Sequence, residues 1–360
     1  MTLTLTPIAA FVSSLLLAAL LTPLARKLAI RMGALDRLSA EKLHAREVPR
    51  LGGVAIALAF YIPVLLLALR VNAYALAIYE DPYRIAVVLS GGLIILALGV
   101  YDDLKGAWAW QKLVVQIPAA TLAWAGGIRI GGTAGAHGYI DFPLSLSLVV
   151  TVCFIVLVVN AINLLDGLDG LASGIALQVL LAGAFAAAFR GEPVLMLLCL
   201  CLAGAVGGFL IHNFAPASIF MGDSGSMFIG YVLAAAAVWS SQKAATLVGA
   251  VLPAVALGLP LLDTALAVFR RFGSRRSILR GDLDHLHHRL LKRGLSMRGA
   301  VLLLYGIGSV FSGFSMLLVY LDDKLLGRAL LAISLMLAVG VARWLGYLGK
   351  ARVDRNVDPV

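Results

Sequence analysis

The stretch N-A-I-N-L-L-D-G-L-D-G-L-A-S-G occupies residues 160–174. It follows a long apolar run, residues 146–159, and precedes a second one, residues 175–189. Two amides, two carboxylates and three glycines therefore lie where a membrane helix is expected to end. An acid in or beside hydrocarbon is rare unless it pairs, binds an ion or lines a wet cavity. The stretch predicts a polar site at one face of a membrane, or else a turn whose Asx side chains cap backbone groups.

Asn163, Asp166 and Asp169 are spaced three residues apart, so a continuous helix would place them along roughly one face. The glycines between them allow a close backbone approach or a break in that helix. Carboxylate oxygens clustered beside a flexible backbone suit a hard cation and a phosphate bound to it. The spacing therefore makes a cation–phosphate site the hypothesis to test against the simple turn.

The composition indicates a membrane protein. Of the 360 residues, 61% are hydrophobic and 13% are charged, and the mean hydropathy is +0.97. A soluble protein keeps about a quarter of its residues charged. We predict an all-α, polytopic integral membrane protein with a single domain, residues 1–360. Apolar runs of about twenty residues predict eleven transmembrane helices, near 4–25, 51–69, 84–100, 108–125, 144–160, 173–190, 193–211, 224–240, 245–269, 299–320 and 327–347.

The basic residues set the predicted orientation. With the first loop placed in the cytoplasm, 22 of the 29 Lys and Arg residues fall in inside segments, as the positive-inside rule expects. The N-terminus is then outside and the C-terminus cytoplasmic. The net charge of +10 reflects this topology, and we expect no nucleic-acid partner. The predicted cytoplasmic loops lie near 26–50, 101–112, 160–174, 212–226 and 270–298, and the outside loop 126–143 predicts a small hairpin.

Further polar residues stand at helix ends on the same predicted face. Asp102 and Asp103 end the third span, and adjacent carboxylates repel unless a cation or proton lies between them. Lys112 and Gln116 are four residues apart, so on a helix an ammonium group and an amide group would project from the same face. The simpler alternatives are that the acids are interfacial polar residues and that Lys112 snorkels to the membrane surface.

The eighth span begins with F-M-G-D-S-G-S, residues 220–226. Asp223, Ser224 and Ser226 are residue types that cap helices. The same arrangement places a carboxylate and several free N–H groups at the positive end of a helix, where a metal-bound phosphate would be stabilised. His212 and Asn213 precede this segment and are candidates for supporting groups.

Two basic segments complete the predicted inside face. P-R-L-G-G, residues 49–53, follows Lys42 and would hold an anion through basic side chains and exposed backbone amides, unless it is an ordinary positive-inside anchor. Three of the six histidines fall within residues 285–288. A His-rich cluster can bind a transition metal, but the flanking basic residues favour a phosphate or sugar ligand. Asp263, in the ninth apolar run, is a buried acid that Arg270 or Arg271 would pair with.

Together these motifs resemble the polyprenyl-phosphate N-acetylhexosamine-1-phosphate transferases. That superfamily includes the bacterial undecaprenyl-phosphate GlcNAc-1-phosphate transferases and the phospho-MurNAc-pentapeptide translocases. The resemblance runs from Lys42 to Leu291, with the motifs in the family's order. The H-L-H-H form and eleven spans are similar to the GlcNAc-type branch, since the translocase branch typically has ten helices and a different His-rich loop. Gly106 departs from the pattern, because many relatives have a further acid there.

The resemblance implies that a polyprenyl phosphate attacks the β-phosphorus of a UDP-HexNAc, with UDP-GlcNAc as the expected donor, and that UMP leaves. The product would be the first lipid-linked intermediate of a cell-envelope glycan, made at the cytoplasmic face of a bacterial inner membrane. Both substrates are anionic, so Mg²⁺, or Mn²⁺ in its place, is the expected cofactor. UDP-QuiNAc, UDP-FucNAc and UDP-MurNAc-pentapeptide are alternative donors, and a homodimer is a family-level expectation.

Residue roles follow from the same resemblance. Asp223 is the expected metal ligand together with Asp102, which is also the candidate base, with Asp103 supporting it. Direct displacement and a covalent aspartyl-phosphate both stay open. The competing class is a secondary transporter, because intramembrane acids also mark ion paths, although no internal repeat is visible. The predicted catalytic residues are Asp102, Asp103, Asp166 and Asp169, and the predicted substrate-binding residues are Asn160, Asn163, His285, His287, His288, Arg289, Lys112, Lys42 and Arg50.

Overall fold

The computed structural model of the chain describes residues 5–36, 47–69, 73–135, 138–242, 255–273, 286–321 and 324–344. Helices account for most of these residues. They are α1 (Leu5–Met32), α2 (Gly52–Ala68), α3 (Ala73–Glu80), α4 (Pro82–Lys105), α5 (Ala109–Ala125), α6 (Leu144–Leu165), α7 (Leu171–Phe189), α8 (Pro193–Asn213), α9 (Gly222–Gln242), α10 (Gly258–Gly273), α11 (Leu286–Lys292), α12 (Met297–Leu321) and α13 (Lys324–Trp344).

Two short antiparallel strand pairs interrupt the helices. The pair β3 (Gly132–Gly135) and β4 (Gly138–Asp141) aligns Gly132 with Asp141, which confirms the predicted hairpin. The pair β1 (Leu35–Asp36) and β2 (Val48–Pro49) was not predicted. The helix α3 was not predicted either, because its eight residues are too few to show a clear apolar period.

The chain is a multi-pass membrane protein. Eight described helices are long and apolar enough to cross a bilayer: α1, α4, α6, α7, α8, α9, α12 and most of α13. The helices α2 and α5 occupy two further predicted spans with 17 residues each. The predicted ninth span lies partly outside the described residues, which resume at 255. The number eleven and the orientation in the membrane therefore stay predictions.

The bundle is built around α9. In its most apolar 18-residue window 83% of the residues are buried, against 28% in α1. The long helices α4 and α6 pack along it, and the Tyr231 hydroxyl donates a hydrogen bond of 3.0 Å to the Val87 carbonyl across the α4 contact. Because α9 is enclosed by its neighbours, its N-terminal end has a fixed position. Asp223 lies at that end, so its position is fixed as well.

Close helix contacts at the N-terminal end of α9 depend on glycines, which have no side chain. A Cβ on Gly99 of α4 would overlap the backbone of Asp223 and Ser224, and a Cβ on Gly53 of α2 would overlap the backbone of Gly225. Small residues at such crossings let two backbones approach closely. The glycines of α2 and α4 thus bring both helices against the first turn of α9.

We expect Gly99→Ala to lower the free energy of unfolding by about 1–3 kcal/mol, because the added methyl group must displace backbone atoms of α9. The measurement is thermal denaturation of the detergent-solubilised protein. Gly313→Ala is the matched control, since a Cβ there would meet nothing within 4 Å and alanine favours a helix. Equal melting temperatures for the two variants would contradict the packing role of Gly99.

Candidate active site

The helix α9 begins at one end of the bundle, where a carboxylate from α4 contacts its first turn. Asp103 Oδ1 accepts the Asp223 N–H at 2.9 Å, and Asp103 Oδ2 accepts the Ser224 N–H at 3.0 Å. The first N–H groups of a helix lack partners within it, so Asp103 acts as the N-cap of α9 from a neighbouring helix. The prediction of free N–H groups for a phosphate is therefore wrong for these two, because the Asp103 carboxylate accepts both.

A single ammonium group joins two carboxylates beside this cap. Lys112 Nζ, on α5, lies 2.6 Å from Asp102 Oδ2 and also donates a hydrogen bond to Asp223 Oδ2. The side chains of Asp102, Lys112 and Asp223 are 11%, 20% and 25% exposed. Two like charges are favourable at this separation only with a cation between them. Lys112 thus binds both acids rather than snorkelling to the membrane surface.

The turn between α4 and α5 also contacts Asp102. The Ala107 N–H donates to Asp102 Oδ1, and the Gln111 side chain accepts the Trp108 N–H at 2.7 Å at the start of α5. Gly106 has φ +76°, a conformation that glycine adopts readily and other residues rarely do. At Gly106 the chain therefore makes a tight turn, and the N–H of the next residue points at Asp102.

The amide of Asn163 links α6 to the same cluster. Its Nδ2 donates to Ser226 Oγ at 2.9 Å and the amide also interacts with the Asp223 carboxylate. Asn160, one turn earlier, donates instead to Gln116 Oε1 at 2.8 Å and to the Val156 carbonyl. Asn163 therefore belongs to the cluster, whereas the contacts of Asn160 lie further inside the bundle.

The helix α6 ends at Leu165, so Asp166, Asp169 and Asn163 do not continue along one helix face. Asp166 is the C-cap residue and is partly buried. Burial, together with the negative charges of Asp223, Asp103 and Asp169, raises the pKa of its carboxyl to about 8. A cation at this place would favour the ionised form, so the position suits a positively charged ligand.

Asp169 supports the loop that leads into α9. It is 3% exposed, and its Oδ2 accepts the Ala217 N–H at 2.8 Å. The same loop is fixed by Asn213, which donates to the Ile219 carbonyl at 3.0 Å and accepts from Ser173 at 2.8 Å. Asn213 therefore fixes the backbone of this loop, and its supporting role at the site stays a prediction.

The His212 side chain contacts α1, where its Nε2 lies 3.0 Å from the Ala19 carbonyl. Its backbone carbonyl accepts the Ser218 N–H at 3.0 Å, in the loop that leads into α9. The two side chains differ because His212 and Asn213, adjacent on a helix, point in directions about 100° apart. A supporting role of the His212 ring stays a prediction.

The segment P-R-L-G-G pairs with the segment that precedes α9. The Gly52 and Gly53 N–H groups donate to the carbonyls of Phe220 and Met221 at 3.1 and 2.9 Å. The expected exposed amides for an anion are therefore occupied. Arg50 forms an ion pair with Asp36. Its positive charge also lowers the pKa of Asp166, in opposition to burial and the neighbouring acids, which raise that pKa.

The His-rich segment is described in part. Lys42 and His285 lie outside the described residues, and His287 is described only as part of the helix α11. His288 and Arg289 lie on α11 and are partly buried. Asp263 Oδ1 accepts the Leu286 N–H at 2.9 Å, so this acid, expected to pair with Arg270 or Arg271, holds the first turn of α11.

For the acids together we use the term acid cluster: Asp102, Asp103, Asp166 and Asp223. In the part of the chain that the structure describes, no three His, Cys, Asp or Glu side chains already stand close enough together to hold a metal ion. The oxygen donors nevertheless fit Mg²⁺, which prefers carboxylates and keeps several waters rather than requiring an all-protein cage. Asp102 and Asp223, both directed at one positive charge, are the residues best placed to hold it.

Comparison with known proteins identifies relatives over most of the chain. The model of glycosyl transferase family 4 matches residues 85–241, which contain the whole acid cluster and Lys112. A probable undecaprenyl-phosphate N-acetylglucosaminyl 1-phosphate transferase of Bacillus subtilis is 36% identical over 312 residues, covering 85% of this chain and 83% of the relative.

Two other relatives are similar over a comparable length. A decaprenyl-phosphate N-acetylglucosaminephosphotransferase of Mycolicibacterium smegmatis is 40% identical over 309 residues, covering 78% of this chain and 74% of the relative. A phospho-N-acetylmuramoyl-pentapeptide-transferase of a Synechococcus species is 32% identical over 322 residues, covering 83% and 87%. The similarity is therefore higher to the two N-acetylglucosamine phosphate transferases than to the muramoyl-pentapeptide transferase.

Proposed function

The chain belongs to glycosyl transferase family 4, and from that premise we propose that it transfers GlcNAc-1-phosphate from UDP-GlcNAc to a polyprenyl phosphate. Relatives named for this transfer are 36–40% identical over most of the chain. The muramoyl-pentapeptide transferase, at 32% identity, supports the same chemistry with another donor. The lipid-linked product would be the first intermediate of a cell-envelope glycan.

The reaction is a phosphoryl transfer between two anions. An oxygen of the lipid phosphate forms a bond to the β-phosphorus of the UDP-sugar. The bond from that phosphorus to the oxygen bridging the two phosphates breaks, and UMP leaves with the bridging oxygen. A phosphate monoester is largely ionised near neutral pH, so proton removal contributes less than neutralisation of charge and alignment of the two phosphates.

The observation that carries this proposal is the contact of Lys112 with both Asp102 and Asp223 at the N-terminus of α9. It places a fixed cation between two carboxylates where three helices meet. The Lys112 ammonium, together with a divalent cation held by the two acids, would stabilise the developing negative charge on the transferred phosphate. We propose that Asp102, which the Ala107 N–H also contacts, accepts the remaining proton of the lipid phosphate.

We propose Asp223 and Asp102 as the ligands of Mg²⁺ or Mn²⁺, with Asn163 beside them. When bound, the metal would polarise the diphosphate and lower the repulsion between the substrates. Asp166 and Asp169 would organise the nucleotide region. Arg50, whose charge acts on Asp166, would contact a phosphate.

The remaining predicted contacts come from the His-rich segment and the first loop. His285, His287, His288 and Arg289 are proposed to hold the diphosphate or the sugar, and Lys42 a phosphate. We propose that this end of the bundle faces the cytoplasm at a bacterial inner membrane, as the distribution of basic residues predicts. A homodimer is likewise a proposal drawn from the family.

The test uses membranes that contain the protein, UDP-GlcNAc labelled in the sugar, undecaprenyl phosphate and Mg²⁺. We expect a labelled lipid whose mass equals that of undecaprenyl diphosphate GlcNAc, together with an equal amount of UMP. UDP-MurNAc-pentapeptide, UDP-QuiNAc and UDP-FucNAc are then supplied in competition to determine the donor. Formation of neither lipid product nor UMP from any of these donors would contradict the proposal.

A further inference from the structure

Asp102 and Asp103 are adjacent in the sequence but have different partners. Asp102 contacts the Lys112 ammonium and the Ala107 N–H. Asp103 accepts two backbone N–H groups, those of Asp223 and Ser224, at 2.9 and 3.0 Å. One acid of the pair thus contacts the charged side chains of the candidate site, whereas the other contacts the backbone of α9.

The Asp103 carboxylate is enclosed as well as bonded. The residue is 8% exposed. Gly222 has φ +71°, and a Cβ on it would overlap both carboxylate oxygens of Asp103. The backbone of Gly222 therefore lies against the carboxylate, so little room is left there for a substrate phosphate.

The Asp103 cap contacts Asp223, the residue that we propose as a metal ligand. The N–H group that Asp103 Oδ1 holds belongs to Asp223 itself, and the side chain of Asp223 meets Lys112. Gly99, one turn before Asp103 on α4, packs against the backbone of Ser224. The start of α9 is thus fixed to α4 at two adjacent points, on either side of the Cα atom from which the Asp223 carboxylate projects.

We propose that Asp103 is a positioning residue: as the N-cap of α9 it fixes the Asp223 carboxylate against Asp102 and Lys112, and it neither exchanges a proton with the substrate nor touches it. This inference rests on the proposed function for its kinetic consequences, and it replaces the catalytic role predicted for Asp103. A displacement of about 1 Å in a reacting group can lower a rate about 10²-fold, so an intact cap is needed for the full rate.

Three variants separate positioning from chemistry. Asp103→Asn keeps one acceptor oxygen, and we expect kcat to fall about 10-fold; Asp103→Ala keeps none, and we expect a fall of about 10²-fold. The KM values for both substrates should change less than about two-fold, and the pH dependence of the rate should keep its shape. Gly222→Ala leaves Asp103 in place but forces its carboxylate away, so it should reproduce the lower kcat and the unchanged pH profile.

A second measurement does not depend on the reaction. Hydrogen–deuterium exchange of a peptide covering residues 220–226, followed by mass spectrometry in purified full-length protein, reports on the two capped N–H groups. We expect exchange about 10-fold faster in Asp103→Ala and Gly222→Ala than in the wild type, and unchanged in Asp141→Asn, an exposed acid of β4. If the wild type makes no lipid product, the proposed function fails while the exchange still tests the cap.

Three outcomes would overturn the inference. They are wild-type kcat in Asp103→Ala, unchanged exchange at residues 220–226 in a folded Asp103→Ala, and loss of one limb of the pH profile in Asp103→Asn but not in Gly222→Ala. The last result would assign Asp103 a proton-transfer role.

Discussion

Asp223→Asn is expected to lower the turnover of the lipid product by roughly 10³-fold or more. Asp223 contributes one of the two carboxylates that meet Lys112, and we propose that it holds a divalent cation. The asparagine has nearly the same shape, and the N–H bond to Asp103 comes from the backbone, so the fold and the cap should persist. The loss therefore reports on the negative charge itself.

The measurement is the rate of labelled lipid formation in membranes with equal amounts of each protein. Asp141→Asn makes the same chemical change at an exposed position of β4, in the hairpin that precedes α6, and should leave the rate at the wild-type value. Titration with Mg²⁺ adds a second readout, because the variant should require more metal for its residual activity. Full activity of Asp223→Asn at low Mg²⁺ would remove it from the metal site.

The gathering of the acid cluster could be predicted from the sequence for a topological reason. Consecutive membrane helices alternate in direction, so every second loop lies on the same face. The ends of α4 and α6 and the start of α9 carry Asp102, Asp166 and Asp223, and the count of spans between them places all three on one side. Counting helices was enough to group these residues, although not to give their contacts.

The partner of each acid could not be predicted, because side-chain direction depends on helix phase and on which neighbour lies opposite. Adjacent residues of a helix point about 100° apart, so Asp102 and Asp103 meet different elements. Nothing in the pattern D-D indicates that one meets a lysine and the other a helix N-terminus. That difference arises from how α4 is rotated against α9, and this rotation is fixed by glycine contacts that leave no periodic signal.

The prediction of exposed N–H groups at the glycine pair was wrong for a related reason. The glycine pair of P-R-L-G-G suggested exposed N–H groups, but Gly52 and Gly53 donate to carbonyls about 170 residues further along the chain. Local sequence shows which amides a segment has and not which remote carbonyls accept them. The end of α6 at Leu165 could not be predicted either, because the sequence D-G-L-D-G fits both a continued helix and a turn.

Lys112→Met is expected to lower kcat about 10²-fold to 10³-fold and, without divalent cations, to lower the free energy of unfolding by about 3 kcal/mol. The side chain is 20% exposed and contacts two carboxylates. Methionine fills a similar volume without the charge, so Asp102 and Asp223 would repel each other in a partly buried place. Lys112→Arg keeps the charge in a different geometry, and we expect intermediate values of both quantities.

Thermal denaturation in detergent, with and without Mg²⁺, distinguishes the structural effect from the chemical one. Added Mg²⁺ should restore much of the stability of Lys112→Met, because a divalent cation supplies the missing positive charge between the carboxylates. It should not restore kcat, because a fixed ammonium beside the phosphates is still lacking. Lys105→Met, an exposed lysine of the last turn of α4, should keep wild-type stability and rate. A Lys112→Met protein that matched the wild type in both would mean that the ion pairs of Lys112 are incidental, and the proposed reaction site would then lie elsewhere.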